Sequence, residues 1–441
     1  MGTRIGYIAD RLRTGYWFVP TLMLIGASLL AWATIRIDEA ADPEEAPWIG
    51  WLVYSGGPDG AHEVLGAIAS SMITVAGVVF SIAIVTLQLA SSQFGPRMLA
   101  NFVQDRGNQV TLGTFVAGFL YSLLVLRVVR AGEPESVPHL SVTVALLLAV
   151  AGLSVLIYFV HHVATTIQAP NLIDAIADEL RRSVHAIFPE PDATPGPMTD
   201  PPLPGDFDEE SRRVGAGRVG YVQIIDLERL TAMAREHDLI IAVDTRPGRF
   251  VVEHTAFARA YPAGRVTEEA VESIQAVLTT GARRTAQQDI EFPVRQIVEI
   301  AVRALSPGIN DPFTASTCID QIGAGLCEIA RRELPSPCVT DEDGALRVVA
   351  SDPVSWERLV GGAFDQIRQC ADFHAAVYIR LLEALTQIAG CANDRSRQES
   401  LLREARLVVE AAERSVPAEA DQDIIEQRYD DLLAVVESAR V

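Results

Sequence analysis

Small and polar side chains recur at helical spacing within the apolar segment 64–89. They fall three, four or seven residues apart, at Ser70, Thr74, Gly77, Ser81 and Gln88. On a helix this spacing places them along one stripe, called here the polar stripe, away from Val75, Val79 and Ile82. Lipid tails offer no hydrogen-bond partners, so we expect the polar stripe to face other protein or water.

Two interpretations of the polar stripe stay open. In the first, small residues let neighbouring helices approach closely, and the hydroxyl and amide groups hydrogen-bond across the contact. In the second, the stripe lines a hydrated path in a ring of subunits, and its oxygens replace the hydration shell of an ion. The stripe continues through 91–93 to Gly95 and Pro96, and Arg97 would then form a ring of positive charge at the pore mouth.

The run 304–313 is the most distinctive local motif outside the apolar segments, and it has the signals of a corner between two helices. Pro307 ends the first helix, and Pro312 suits the first position of the second. The polar residues of this corner are Ser306, Asn310, Asp311 and Thr314. Asp311 is expected to cap the second helix. The group could also hold an anion or the carboxylate of a partner at the helix N-terminus.

Other candidate motifs have weaker support. Residues 215–220 match the spelling of a dinucleotide-binding fingerprint, but they follow a linker and open a strand, whereas the fingerprint follows a strand and opens a helix. Asp289 and Glu291 form a carboxylate pair without a partnered histidine, and Arg295 lies one turn after Glu291, as in an ordinary ion-paired helix face. We therefore predict no catalytic residue, no metal site and no cofactor, and an enzyme is the least supported class.

The elements that must position these residues begin with four apolar stretches near residues 16–35, 64–89, 110–129 and 140–163. Each has about the 20 residues that a helix needs to cross a bilayer. They account for a mean hydropathy of +0.21. The sequence thus predicts a multi-pass α-helical membrane protein with four transmembrane helices in a domain over 1–165.

Positive charges orient the predicted spans. Arg4, Arg11 and Arg13 precede the first span, and Arg181 and Arg182 follow the fourth, whereas the loop after the first span is acidic. By the positive-inside rule, both termini are expected in the cytoplasm. The five cysteines all lie in the predicted cytoplasmic part, so free thiols are expected.

The formal net charge of −21 argues against a nucleic-acid partner, because binding phosphates requires clustered lysine and arginine. The expected partners are the lipid bilayer, further copies of the same chain and a small ion or solute.

After the spans the sequence predicts a mainly helical α+β cytoplasmic region. We expect a juxtamembrane helix over 166–188, a linker rich in proline and acidic residues over 189–210, and a small mixed α/β unit over 211–265. A helical domain is expected over 266–441, with one long helix at 355–389.

Two groups of motifs carry a family resemblance. The first runs from Phe80-Ser81-Ile82 through Leu87-Gln88-Leu89-Ala90-Ser91 to Gln93-Phe94-Gly95-Pro96-Arg97, and the second is the run 295–303 leading into the corner at 304–313. Together they resemble a bacterial family of predicted inner-membrane proteins catalogued as a domain of unknown function. The resemblance extends over nearly the whole chain. It implies several N-terminal spans with a cytoplasmic C-terminal region, and it implies no activity.

Two functional hypotheses follow. The leading one is a homo-oligomeric channel or channel-like transporter for ions or small solutes, in which the second span lines the path and the cytoplasmic region assembles or gates it. Four spans are few for an alternating-access carrier, so assembly about an axis is the economical route to a path. The rival is a membrane-anchored cytoplasmic sensor or scaffold with no transport activity.

Overall fold

The structure, a computed structural model, separates the chain into two units, residues 1–171 and residues 172–441. It describes residues 17–40, 54–94, 105–129, 137–166, 168–189, 203–392 and 394–438. Arg97 and the stretch 190–202 of the predicted linker lie outside these ranges.

In the described part of the N-terminal unit, four helices are long and apolar enough to cross a membrane. They are α1 (Phe18–Ala40), α2 (Pro58–Phe94), α3 (Arg106–Leu126) and α4 (His139–Thr166). The helix α2 begins at Pro58, six residues before the apolar stretch 64–89. Its backbone hydrogen bonds do not require apolar side chains, so the helix includes polar residues such as His62 and Glu63. The helix α3 ends at Leu126, short of the expected residue 129.

Small residues on α3 and α4 let α2 pack closely within this unit. A Cβ added at Gly118 or Gly152 would lie 3.4 Å or 2.9 Å from the nearest side-chain atom of Met72. Met72 belongs to an apolar cluster with Leu112, Phe115 and Phe159, among others. A second cluster includes Leu65 and Tyr121. Apolar side chains therefore make a large part of the contacts among these helices.

In the described residues of the C-terminal unit, eight strands form two sheets. The strands are β1 (Arg212–Gly215), β2 (Gly220–Ile225), β3 (Ile240–Val243), β4 (Phe250–Val251), β5 (Ala256–Tyr261), β6 (Leu278–Gly281), β7 (Cys338–Thr340) and β8 (Leu346–Ala350). The larger sheet has the order β1-β5-β3-β8-β7 and the smaller β4-β2-β6. Only β3 and β8 run parallel among the pairs described, with Ile241 opposite Val348.

Helices account for most of the rest of this unit. They are α5 (Ala169–Ile187), α6 (Phe207–Glu210), α7 (Leu227–Glu236), α8 (Glu268–Ala276), α9 (Glu291–Ala304), α10 (Pro312–Ala330), α11 (Trp356–Cys370), α12 (Ala375–Cys391), α13 (Arg395–Ser415) and α14 (Glu419–Ser438). The buried face of α5 includes Leu172, Ile176 and Leu180, at the spacing that predicts it. Apart from its first three residues, α5 belongs to the C-terminal unit.

The structure corrects three expected boundaries. The mixed unit does not close at residue 265, because β6, β7 and β8 come from the region expected to be helical and complete its two sheets. The helix expected over 355–389 is two helices, since Phe373 adopts φ +65° between them. Part of the expected linker is ordered, because the buried Phe207 ring stacks on Tyr261 at a centroid distance of 5.7 Å.

Candidate functional site

The polar stripe lies on the outer side of the four-helix unit. Its members Ser70, Thr74, Gly77, Ser81 and Gln88 are all exposed. The buried face of α2 includes Leu65, Met72, Ala76 and Val79. At 100° per residue these two sets fall on opposite sides of the helix. Packing among the described residues of the N-terminal unit therefore does not explain the stripe.

Gly77, a member of the polar stripe, has no close neighbours, whereas a glycine inside the four-helix unit does. A Cβ at Gly77 would have no heavy atom within 4 Å, whereas one at Gly113 would approach the Met23 sulfur to 2.5 Å. Gly113 on α3 is thus closely packed inside the unit, and Gly77 is not. Thr74 donates its hydroxyl to the Ser70 backbone oxygen at 2.7 Å, which leaves its oxygen able to accept a further hydrogen bond.

Sequence reasoning missed a polar network at one end of the helices. The Asp38 carboxylate accepts from the backbone N–H groups of Leu140 and Ser141, at 2.8 Å and 2.9 Å, and from the Ser141 hydroxyl at 2.6 Å. It thus satisfies donors at the start of α4. Nearby, the buried hydroxyls of Thr34 and Tyr121 are 2.9 Å apart. The signal in the sequence is an acidic residue in the last turn of α1, but its partner lies about a hundred residues away.

A second missed contact joins α3 and α4 at the other end. The imidazole Nε2 of His162 lies 2.5 Å from Asp105 Oδ2. Asp105 also caps α3 by accepting from Gly107 N–H at 2.9 Å. A Cβ at Gly107 would come within 2.6 Å of His162, so the glycine makes room for the imidazole. This pair links the N-terminal cap of α3 to the C-terminal part of α4.

The structure brings Ser306, Asn310, Asp311 and Thr314 together as a turn whose polar groups bond one another. The Ser306 hydroxyl donates to the Arg303 backbone oxygen at 2.6 Å. Asp311 accepts from the Thr314 N–H at 3.1 Å and from its hydroxyl at 2.6 Å. The hydrogen bond from the Thr314 hydroxyl is the main cause that lowers the pKa of Asp311. Asn310 adopts φ +54°, a conformation that asparagine tolerates. These contacts account for the motif as a helix-to-helix corner.

The carboxylates Asp289 and Glu291 belong to an ion network. Arg284 donates two hydrogen bonds to Asp289, at 2.6 Å and 2.8 Å, and Arg246 contacts Glu291 at 2.5 Å. Burial nevertheless raises the pKa of Asp289 above its usual range, because desolvation outweighs the stabilising contacts with Arg284. Arg295 also reaches Glu291, at 3.5 Å. Both carboxylates therefore have arginine partners, the arrangement of a structural network.

Gly248 fits closely into this network. It adopts φ +87°, and a Cβ there would lie 2.2 Å from the Asp289 carboxylate and 2.7 Å from Arg284. Across the described residues, no group of three or more histidine, cysteine, aspartate or glutamate side chains is placed to hold a metal ion.

Comparison with known proteins places these features in a family. The model of a family described as a predicted membrane protein (DUF2254) matches residues 13–387. A protein of Mycobacterium bovis and one of Mycobacterium tuberculosis, both described as uncharacterized, are 30% identical to this chain over 430 residues. The match covers 95% of this chain and 80% of each relative. No solved structure matches the chain.

Proposed function

Since the chain belongs to the DUF2254 family of predicted membrane proteins, we propose that copies of it assemble through the polar stripe of α2 into a path for small ions or solutes. The membrane is the bacterial inner membrane, with both termini in the cytoplasm. The C-terminal unit is cytoplasmic and assembles or gates the path.

The observation that carries this proposal is the outward position of the stripe. A serine, threonine or glutamine side chain facing hydrocarbon loses its hydrogen bonds to water and gains none from lipid. The stripe lies opposite the buried face of α2. The Thr74 hydroxyl donates within the helix, and groups outside the described part of the chain would supply partners for the remaining polar atoms of the stripe. A second α2 helix, or water between several of them, supplies those groups.

The packing of the four-helix unit favours a path between copies. Large side chains occupy the contacts among its helices, and Phe115, Tyr121 and Phe159 are each at most 3% exposed. A ring of α2 helices around a common axis would instead place the hydroxyls of Ser70 and Ser81 toward a shared lumen. In this arrangement Gly77 lets the helices approach closely.

Flux through liposomes containing the purified full-length protein tests the proposal. We expect the protein to carry a small ion or neutral solute, and Ser81→Leu to reduce that flux at least tenfold, because leucine removes the hydroxyl and narrows the lumen. The matched control is Ile82→Leu, since Ile82 is also exposed, at 39%, but points about 100° away from Ser81 on the helix.

Several results would overturn the proposal. One is the absence of flux for sodium, potassium, chloride and small neutral solutes from protein that is correctly folded. Another is an unchanged flux in Ser81→Leu together with a lost flux in Ile82→Leu. Binding of a soluble partner by the C-terminal unit in a protein without flux would favour the anchored sensor instead.

A further inference from the structure

A cavity of about 600 Å³ lies within the C-terminal unit and is bordered by strands of both sheets. Its walls are mainly apolar and include Ile225 on β2, Val243 on β3, and Val348 and Ala350 on β8. Pro353 and Val354 continue the wall beyond β8. This volume is in the range of pockets that enclose small organic ligands.

The polar part of the cavity follows the carboxyl ends of β3 and β8. Because these neighbouring strands are parallel, the segments that leave them emerge at one edge of the sheet. Thr245 and Arg246 follow β3, and Asp352 follows β8, and all three line the cavity. The two loops meet there, with Arg246 Nε at 3.0 Å from Asp352 Oδ2.

Positive charge is in excess beside this edge. Asp352 receives hydrogen bonds from Arg246, Arg249 and Arg358, the last at 2.7 Å. Among the described residues, the ion pairs that connect to Asp352 and Glu291 join five arginines, Arg246, Arg249, Arg284, Arg295 and Arg358, to three carboxylates, Asp289, Glu291 and Asp352. Five arginines and three carboxylates leave a formal excess of two positive charges in these ion pairs, whereas the whole chain has a net charge of −21.

The Arg249 guanidinium also has N–H donors that bond no other described residue. The Arg249 guanidinium bonds only Asp352 among the described residues, through Nε and Nη2, and its side chain is 57% exposed. A guanidinium carries five N–H donors in a planar fork that suits a carboxylate or phosphate. An anion at this edge would neutralise the excess charge and use these donors.

We propose that this cavity binds a small amphipathic anion, with its acidic group toward Arg246 and Arg249 and its apolar body along β3 and β8. The apolar walls exclude a purely polar anion such as free phosphate as the preferred ligand, because such an ion leaves them unfilled. A neutral hydrocarbon is disfavoured as well, because it offers the arginines at the edge neither negative charge nor hydrogen-bond acceptors.

Binding of 4-phenylbutanoate to the full-length protein in lipid nanodiscs tests this site, with the uncharged 4-phenylbutanamide as the comparison ligand. Hydrogen exchange of the peptides covering 245–249 and 350–354 reports occupancy. We expect saturable protection with a dissociation constant below about 1 mM for the acid, and binding of the amide at least tenfold weaker.

Two variants locate the site. Arg249→Gln removes a half-exposed guanidinium, and Ala350→Phe fills the apolar wall, and each is expected to weaken binding of the acid at least tenfold. The control is Arg235→Gln, because Arg235 is similarly exposed, at 51%, but pairs with Glu342 before the start of β8. Unchanged exchange in the other peptides verifies that each variant is folded.

Three outcomes would overturn the proposal. They are no saturable protection by the acid, equal binding of acid and amide, and affinities that neither Arg249→Gln nor Ala350→Phe changes. Because the readout is binding and not flux, failure here would leave the proposed path through the membrane unaffected.

Discussion

Glu404 gives the C-terminal unit a defined dependence on pH. Its carboxyl group lies on α13, is 6% exposed, and faces Arg368 on α11 at 3.4 Å and the nearby Asp365. Burial, aided by the negative charge of Asp365, raises the pKa of Glu404 from 4.5 to about 7, against the opposing effect of Arg368. We predict that Glu404→Gln flattens the pH dependence of stability.

The magnitude follows from proton linkage. Between the two pKa values the folded state binds one more proton at Glu404 than the unfolded state, so the free energy of unfolding falls as pH rises. A carboxyl pKa raised from 4.5 to about 7 corresponds to roughly 3 kcal/mol, lost between about pH 4 and pH 8. Glutamine cannot ionise, so the variant should lack this loss and exceed the wild type in stability at pH 8.

A urea titration at several pH values measures the effect. Trp356 is a local reporter, because it is 2% exposed and its indole Nε1 donates to the Arg397 backbone oxygen on α13 at 3.3 Å. The other four tryptophans, all before residue 55, are replaced by phenylalanine so that only this signal remains. The matched control is Glu410→Gln, an exposed carboxyl on the same helix. Equal pH slopes for wild type and Glu404→Gln would refute the reasoning.

Three further predictions concern single contacts. Gly248→Ala should destabilise the C-terminal unit by well over about 1 kcal/mol, because the added Cβ would lie 2.2 Å from the Asp289 carboxylate. The control Gly344→Ala also has a positive φ, +78°, but open space around it, and should cost only about 1 kcal/mol. Comparable losses of unfolding free energy in urea titrations would contradict this. Cys318 is fully buried and burial raises its thiol pKa, so iodoacetamide should modify it only after unfolding, and mass spectrometry showing rapid modification of the native protein would contradict this. Asp38→Ala removes the cap of α4 and should lower the free energy of unfolding of the N-terminal unit by about 1–2 kcal/mol, and with it the melting temperature in nanodiscs. An unchanged melting temperature would refute that role.

Local signals in the sequence predicted local structure well. The expected cap is confirmed at Asp311, which accepts a hydrogen bond from the Thr314 N–H in the first turn of its helix. Asp226 and Thr267 cap their helices in the same way. Pro312 occupies the first position of α10 as predicted. These features depend on residues three or four apart, so the information lies within one stretch of sequence.

Features that depend on distant residues escaped prediction. The strand β8 is only five residues long, and its parallel partner β3 lies about a hundred residues earlier, so neither the larger sheet nor its cavity could be read from periodicity. Helix periodicity also continues across Phe373, because α11 and α12 both bury an apolar face, and this concealed the break between them. The outward position of the polar stripe was equally hidden, since periodicity gives a face but not its neighbours.

Disulfide cross-linking in native membranes tests most directly whether α2 helices meet through the polar stripe. Single cysteines are introduced at Ser81 and at Ile82, which is also exposed, in full-length protein whose five native cysteines are replaced. We predict rapid formation of covalent dimers through residue 81 and little through residue 82. Equal or absent cross-linking at both positions, in protein that inserts normally, would contradict the assembly.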